Sequence, residues 1–378
     1  GWTALMEAVS KGETDAVKAL IAAGANVNAG DKNGWTALME AVSKGETDAV
    51  KALIEAGANA NAANKEGVTP LKLAKDNSIK DLLNLQSKDK AQLKDTLSGN
   101  SPNLRVDVDE RVPEGYLVQS NAIAVVIGNR DYQNGIAKVD YAFQDERTMK
   151  RYFESAFKIP ADQILTLENV TLSGFFGLFG TEKEPTKSRL YRNVQNYNPD
   201  TLYIYYSGHG IPGLRDHKGY IAPVDVDKDN VEGTAYPLDL LYSNIARLKK
   251  IGVRHIIVIL ESCFSGDSEG GKLVKNISPV IMKVDNPLTA DNIGSIYAAT
   301  SGNDYSVWYP EMGHGLFTYY FLKGLSGDAD SNKDKKITLA EMRVYLEQNV
   351  PKRANILKAF DQTPQVIGND NEVLVRLK

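Results

Sequence analysis

Apolar positions follow two different rhythms along this chain, and the change falls near residue 120. Residues 1–33, GWTALMEAVSKGETDAVKALIAAGANVNAGDKN, recur almost unchanged from Gly34 to Glu66, and a divergent third copy begins GVTPLKLAK at Gly67. Within a copy, Leu5, Ala8 and Val9, then Val17, Leu20 and Ile21, are spaced as one face of a helix. This predicts a helix from Ala4 to Ser10, a break at Gly12, a second helix from Asp15 to Ala23 and a stop at Gly24. Such short helix pairs cannot bury their apolar faces alone, so the copies are expected to stack. The third copy turns polar in KDNSIKDLLNLQSKDK, as the outer face of a terminal repeat must.

From Ile123 the helical period gives way to short apolar, β-branched runs: IAVVIGN, ILTLENV, TLYIYYSG, HIIVILES and GSIYAATS. They alternate with helical stretches such as YAFQDERTMKRYFESAF and YPLDLLYSNIARLKK. Uninterrupted apolar runs suit strands buried on both faces, which predicts an α/β sandwich with a mainly parallel sheet. A last helix, LAEMRVYLEQNV, leads to the closing segment TPQVIGNDNEVLVRL. The apolar FFGLFG (Phe175 to Gly180) fits either an exposed docking patch or the core. Residues 86–118 are polar, carry Pro102 and Pro113, and are expected to be a linker between units at 1–85 and 119–378.

At 378 residues the chain has room for two or three domains, and its net charge of −4 gives no basis for nucleic acid or an anionic membrane as main partner. A single cysteine excludes an internal disulfide and a cysteine-based zinc site, so a reducing, cytoplasmic setting is expected. No apolar run reaches transmembrane length and no signal-peptide pattern is present. The first residue, Gly1, opens a repeat, so the sequence is expected to be a piece of a longer protein with further repeats upstream.

The single cysteine and one of the four histidines occupy matching places. Cys263 follows the run VILES, and His209 follows YIYYSG. Parallel strands in α/β proteins present active-site groups at their carboxyl ends. The spacing of 54 residues leaves room for one crossover, so adjacent strands are expected to bring thiol and imidazole together, as a cysteine nucleophile requires. Taken singly, Cys263 also fits a small buried hydrophobe and His209 a surface turn. Gly208 and Gly210 around the histidine allow close approach of backbone to a ligand.

The repeat resembles the ankyrin repeat, through the strings T-A-L-M-E-A and G-A-N-V-N-A; the resemblance implies a small all-α solenoid that binds a protein partner. Roughly residues 120–378 resemble the caspase-like cysteine peptidases, nearest to the bacterial caspase-like and metacaspase branch, through YYSGHG, ESCFSG and AATSGNDYSVWYPEMGHGLFTYYFLKGLSG. The implied fold is a caspase-like three-layer sandwich, and the implied activity is hydrolysis of a protein or peptide substrate. Cys263 would attack the carbonyl, His209 would protonate the leaving amine, and the N–H groups of Gly210 and Cys263 would form the oxyanion hole. No third orienting side chain is evident. The specificity positions of metacaspases fall on Asp145, Ser207 and Glu261, the last being aspartate there. Ser306 and Trp308 would line the substrate loop, with Tyr309 where animal caspases hold an arginine. Two buried carboxylates call for a cation. Cleavage after arginine or lysine is therefore expected, the alternative being that Asp145 and Glu261 pair with structural Lys or Arg.

The segment after Cys263 is often cut in the family, so Lys272, Lys275 and Lys283 are candidate self-processing sites; a solvated loop is the plainer reading. A candidate calcium loop runs from Asp330 through Asn332 and Asp334 to Glu341, although Lys335 stands where such loops carry glycine. Asp225, Asp227, Asp229 and Asp239 form a second acidic cluster. No cofactor is required for the chemistry itself. Two further readings compete with a basic-specific protease: a non-catalytic caspase-like scaffold and a protease specific for acidic residues.

Overall fold

A computed structural model describes residues 2–22, 25–56, 58–60, 62–76, 79–80, 83, 107–116, 121–264, 267–268, 271–272, 288, 294–300, 304, 306–358 and 361–378. The chain forms two compact units, Gly1–Leu104 and Arg105–Lys378.

In the first unit the repeat yields helix pairs α1 (Ala4–Ser10) with α2 (Thr14–Ala22), and α3 (Ala37–Lys44) with α4 (Thr47–Glu55). The same threonine starts the first helix of each copy: Thr3 accepts the Met6 N–H at 3.2 Å and Thr36 that of Met39 at 3.3 Å. Leu5, Val9, Val17, Leu38, Val42, Val50 and Leu53 fill a shared core, against which Leu20 and Ile21 are only partly buried. The tips repeat at the level of single atoms. Asp31 Oδ1 accepts the N–H of Trp35 at 2.8 Å, and Asn64 Oδ1, one repeat later, that of Val68 at 2.8 Å.

The second unit is built on a six-stranded sheet of β1 (Ala122–Gly128), β2 (Ile164–Glu168), β3 (Thr201–Ser207), β4 (His255–Glu261), β5 (Gly294–Ala298) and β6 (Gln365–Ile367), in the order β6-β5-β4-β3-β1-β2. All neighbours are parallel except β6, which runs antiparallel to β5. Successive residues point to opposite faces. Ala124, Val126, Tyr203, Tyr205, Ile257 and Ile259 pack with α5 (Ala142–Ser155), α9 (Leu316–Lys323) and α10 (Leu339–Lys358). Val125, Ile127, Leu202, Ile204, Val258 and Leu260 pack with α6 (Leu172–Phe179), α7 (Arg189–Tyr197) and α8 (Leu238–Ala246). The result is the three-layer sandwich expected. FFGLFG belongs to its core: Phe175, Leu178 and Phe179 are buried, and Phe176 lies edge-on to Tyr236 at 5.3 Å.

The expected linker over 86–118 needs correcting at its carboxyl end. Asp107–Glu110 forms a helical turn whose Val108 is buried in the α5 core, and Gly115–Tyr116 pairs with the closing strand Val373–Leu377. A Cβ on Gly115 would stand 1.9 Å from the Ala156 carbonyl oxygen, so this arm lies flat on the domain. Its polar composition concealed it, because only buried Val108 and partly buried Val112 anchor it to the core.

Candidate active site

Strands β3 and β4 are paired in register, Ser207 opposite Glu261, and the Gly208 N–H donates to the Glu261 carbonyl at 3.2 Å. His209 and Cys263 therefore stand two residues beyond matched positions on neighbouring strands. The turns touch just behind them. A Cβ on Gly210 would lie 2.5 Å from the Cys263 carbonyl oxygen and 2.6 Å from the Phe264 ring, so only glycine fits. His209, Cys263, Asp145, Ser207, Glu261, Ser306 and Trp308 line one cleft. Gly210 directly follows His209 and packs against the Cys263 carbonyl.

His209 is held from three directions. Its Nε2 is 2.8 Å from the Ala137 carbonyl oxygen, its own N–H donates to the Tyr132 hydroxyl at 2.8 Å, and its ring lies 4.7 Å from the Tyr132 ring. With the proton of Nε2 given to Ala137, Nδ1 is left as the acceptor. Burial pulls the imidazole down to about 4, although the Ala137 carbonyl opposes this, so His209 is neutral near pH 7. Ala137 is the orienting group that no side-chain motif could announce, since it acts through its backbone. Cys263 is buried and forms no disulfide.

The carboxylates at the foot of the cleft are both buried. Glu261 accepts the Ser306 hydroxyl and, at 2.7 Å, the Thr318 N–H. Burial first, then the nearby Asp145, push its carboxyl up to about 7. Asp145 takes the Ser207 hydroxyl at 2.9 Å, the Gly315 N–H at 3.2 Å and His314 Nδ1 at 2.8 Å.

His314 is the residue that sequence reasoning missed. It is fully enclosed, and its other nitrogen, Nε2, is 3.4 Å from Asp109 on the arm. Burial alone would lower this imidazole; Asp109 and Asp145 together raise it to about 9. A signal was present: Gly-His-Gly occurs twice, at Gly208-His209-Gly210 and Gly313-His314-Gly315. Close packing explains Gly315, where a Cβ would lie 2.4 Å from the Glu261 carboxyl, while Gly313 takes the left-handed φ of 64°. Asp145 thus already has a cationic partner, a histidine in place of the lysine or arginine considered. Trp308 stands edge-on to Tyr141 at 6.0 Å, and Tyr309 is buried beneath Arg353, 4.6 Å from ring to guanidinium.

The calcium loop turns its oxygens on itself. Asp330 accepts the Asp334 and Lys335 N–H groups at 3.1 and 2.9 Å, Asn332 that of Asp334 at 2.8 Å, and Glu341 that of Thr338 at 3.0 Å. Lys335 takes the left-handed conformation, φ 63°, that the turn demands. Among the described residues no three acidic, histidine or cysteine side chains gather as a group that could hold a metal ion. In the second cluster Asp225 accepts the Leu172 N–H at 2.8 Å and Asp239 pairs with Lys218 at 3.3 Å. Lys272 lies on a short strand pairing with Asp267; Lys275 and Lys283 lie outside the described residues. No described helix is long and apolar enough to cross a membrane.

A family model described as a caspase domain matches residues 121–373, and one described as ankyrin repeats (3 copies) matches residues 5–95. No curated protein matches the chain. Among solved structures, the ankyrin repeat domain of Bcl-3, a member of the IkappaB protein family, is 34% identical over 21% of this chain and 35% of its own, with a TM-score of 0.21. An ankyrin repeat domain from Acinetobacter baumannii AYE is 41% identical over 23% of this chain and 48% of its own, with a TM-score of 0.22. The chain thus spans about a third of the first and about half of the second.

Proposed function

Because the chain belongs to the caspase-domain family of peptidases, we propose that it is a cysteine endopeptidase with a His209/Cys263 dyad that cleaves after arginine or lysine, its ankyrin repeats recruiting a protein partner. The observation that carries this reading is the placement of His209 and Cys263 on matched turns of adjacent strands, in one cleft. Neutral His209 takes the Cys263 thiol proton through Nδ1 as sulfur attacks the carbonyl carbon. The N–H groups of Gly210 and Cys263 hold the oxyanion, and His209 returns the proton to the departing amine. Water then enters, His209 removes its proton, and the thioester is hydrolysed.

Asp145 and Glu261 bring two negative charges to the specificity pocket and His314 one positive, leaving a net negative charge for a substrate cation. The elevated Glu261 carboxyl is part-protonated in the empty cleft, and an incoming guanidinium or ammonium drives that proton off. The Ser207 and Ser306 hydroxyls add acceptors, and Trp308 walls the neighbouring subsite. Lys272, Lys275 and Lys283 are the proposed self-processing sites.

The test is turnover of fluorogenic peptides ending in Arg, Lys or Asp, with and without calcium, against Cys263→Ala and His209→Ala. Cys263-dependent turnover of the basic peptides alone is expected. Turnover of the Asp peptide would overturn the pocket, and failure of an electrophilic basic peptide to label Cys263 would overturn the protease.

A further inference from the structure

Asp109 lies outside the catalytic cleft and the strands that frame it, on the arm that precedes the sheet, yet its carboxylate reaches the floor of the pocket through one side chain. We propose that Asp109 and His314 are positioning residues for substrate specificity: from the arm, Asp109 fixes His314 as a doubly protonated imidazolium, which clamps Asp145 in the orientation that receives a basic substrate residue. This rests on the basic-specificity reading and adds the groups that set it.

The geometry makes the case. His314 has a carboxylate at each ring nitrogen, Asp145 at 2.8 Å and Asp109 at 3.4 Å. A neutral imidazole carries one N–H and no charge; the imidazolium donates from Nδ1 to Asp145 and turns a second, positively charged N–H toward Asp109, an ion-pair contact without hydrogen-bond geometry. The ring is wholly buried, so water cannot substitute for either partner. The clamp acts on Asp145 Oδ1, while Oδ2 holds the Ser207 hydroxyl at the cleft wall. Without the imidazolium, Asp145 would be a buried carboxylate beside buried Glu261 with no cationic partner at its Oδ1.

Asp109 is itself held firmly. It accepts from the Thr148 hydroxyl, from Arg151 Nη2 at 2.6 Å and from Gln144 at 3.0 Å, all on α5, while its carbonyl accepts Arg151 Nη1 at 2.8 Å. The charged groups around His314 are therefore Asp145 with Glu261 beyond it on the pocket side, and Asp109 with Arg151 beyond it on the arm side. Lys323 of α9 is engaged by Asp107 at 3.1 Å.

The experiment uses the full chain as wild type, Asp109→Asn, Asp109→Glu and His314→Gln. Asparagine keeps the shape of Asp109 and most of its hydrogen bonds while removing its charge. The first readout, independent of activity, is the NMR titration of the His314 ring. The wild-type ring is expected to stay charged through neutral pH, with proton affinity about tenfold lower in Asp109→Asn. A wild-type ring that titrates as an ordinary histidine overturns the proposal even if the peptidase is active. The second readout is kinetic. Asp109→Asn should raise KM for Arg and Lys peptides about tenfold, the scale of one charge-assisted hydrogen bond, with kcat within about twofold. Asp109→Glu should restore part of the loss, and His314→Gln should show at least the same rise in KM. An Asp109→Asn enzyme with unchanged KM and unchanged His314 titration also overturns it. Wild-type silence toward every peptide counts against the basic-specific protease and leaves the titration to decide this inference.

Discussion

Two histidines flanked by glycines are tuned in opposite directions by what burial gives them. His209 is buried against a carbonyl and an aromatic ring and falls to about 4; His314 is buried between two carboxylates and rises to about 9. Each shift has a signed consequence for stability. Below the unfolded value near 6.5, folded and unfolded chains both hold the His314 proton, so its stabilisation is fully present. As pH rises toward 9 only the unfolded chain releases that proton, and the stabilisation, about 3 kcal/mol, is lost. His209 acts on the other side: between about 6.5 and 4 the unfolded chain takes up a proton that the folded chain refuses, so stability falls with acid. Above the range in which Glu261 gives up its proton, the urea midpoint of the wild type is therefore expected to fall between pH 7.5 and pH 9. In His314→Asn it should be lower at pH 7.5 and nearly flat across that range. An equal decline in both proteins would place the alkaline sensitivity elsewhere.

At the scale of elements, the site is a meeting of two turns, and Gly210 is its tightest point. Gly210→Ala would push a methyl group to 2.5 Å from the Cys263 carbonyl and into the Phe264 ring. The two turns must then separate, which disturbs the nucleophile without touching its chemistry. Turnover is expected to fall at least about a hundredfold while the unfolding midpoint moves far less; unchanged turnover would show the turns to be independent. These turns were legible in the sequence, since apolar runs ending in Gly-His-Gly and Ser-Cys-Phe-Ser announce strand ends, and so were the five parallel strands and the repeat helices. The rest is written in long-range contacts. His314 gains its meaning from Asp145, 169 residues away. The arm's hold on the domain depends on buried Val108, partly buried Val112 and polar bonds that a polar composition hides. Ala137 contributes a backbone oxygen, which every residue has. The calcium pattern is likewise a matter of spacing alone, which does not show whether acidic oxygens face a cation or their own backbone.

At the scale of the molecule, each unit has its own core, and every cleft residue belongs to the second. A chain of residues 105–378 should therefore turn over small basic peptides with kcat/KM within about twofold of the whole protein, while cleavage that depends on the repeats is lost. A chain of residues 119–378, starting where the sequence change first suggests a boundary, should behave differently. It lacks Val108, whose burial is worth about 1.5–3 kcal/mol, the strand pairing of Gly115 and Tyr116, and the Asp109 carboxylate beneath His314. Lower stability alone is the outcome if the arm only packs. Lower stability together with a raised KM for Arg and Lys peptides, measured well below the unfolding temperature, is the outcome if it also sets the pocket. In that case whatever displaces the arm weakens substrate capture without reaching Cys263.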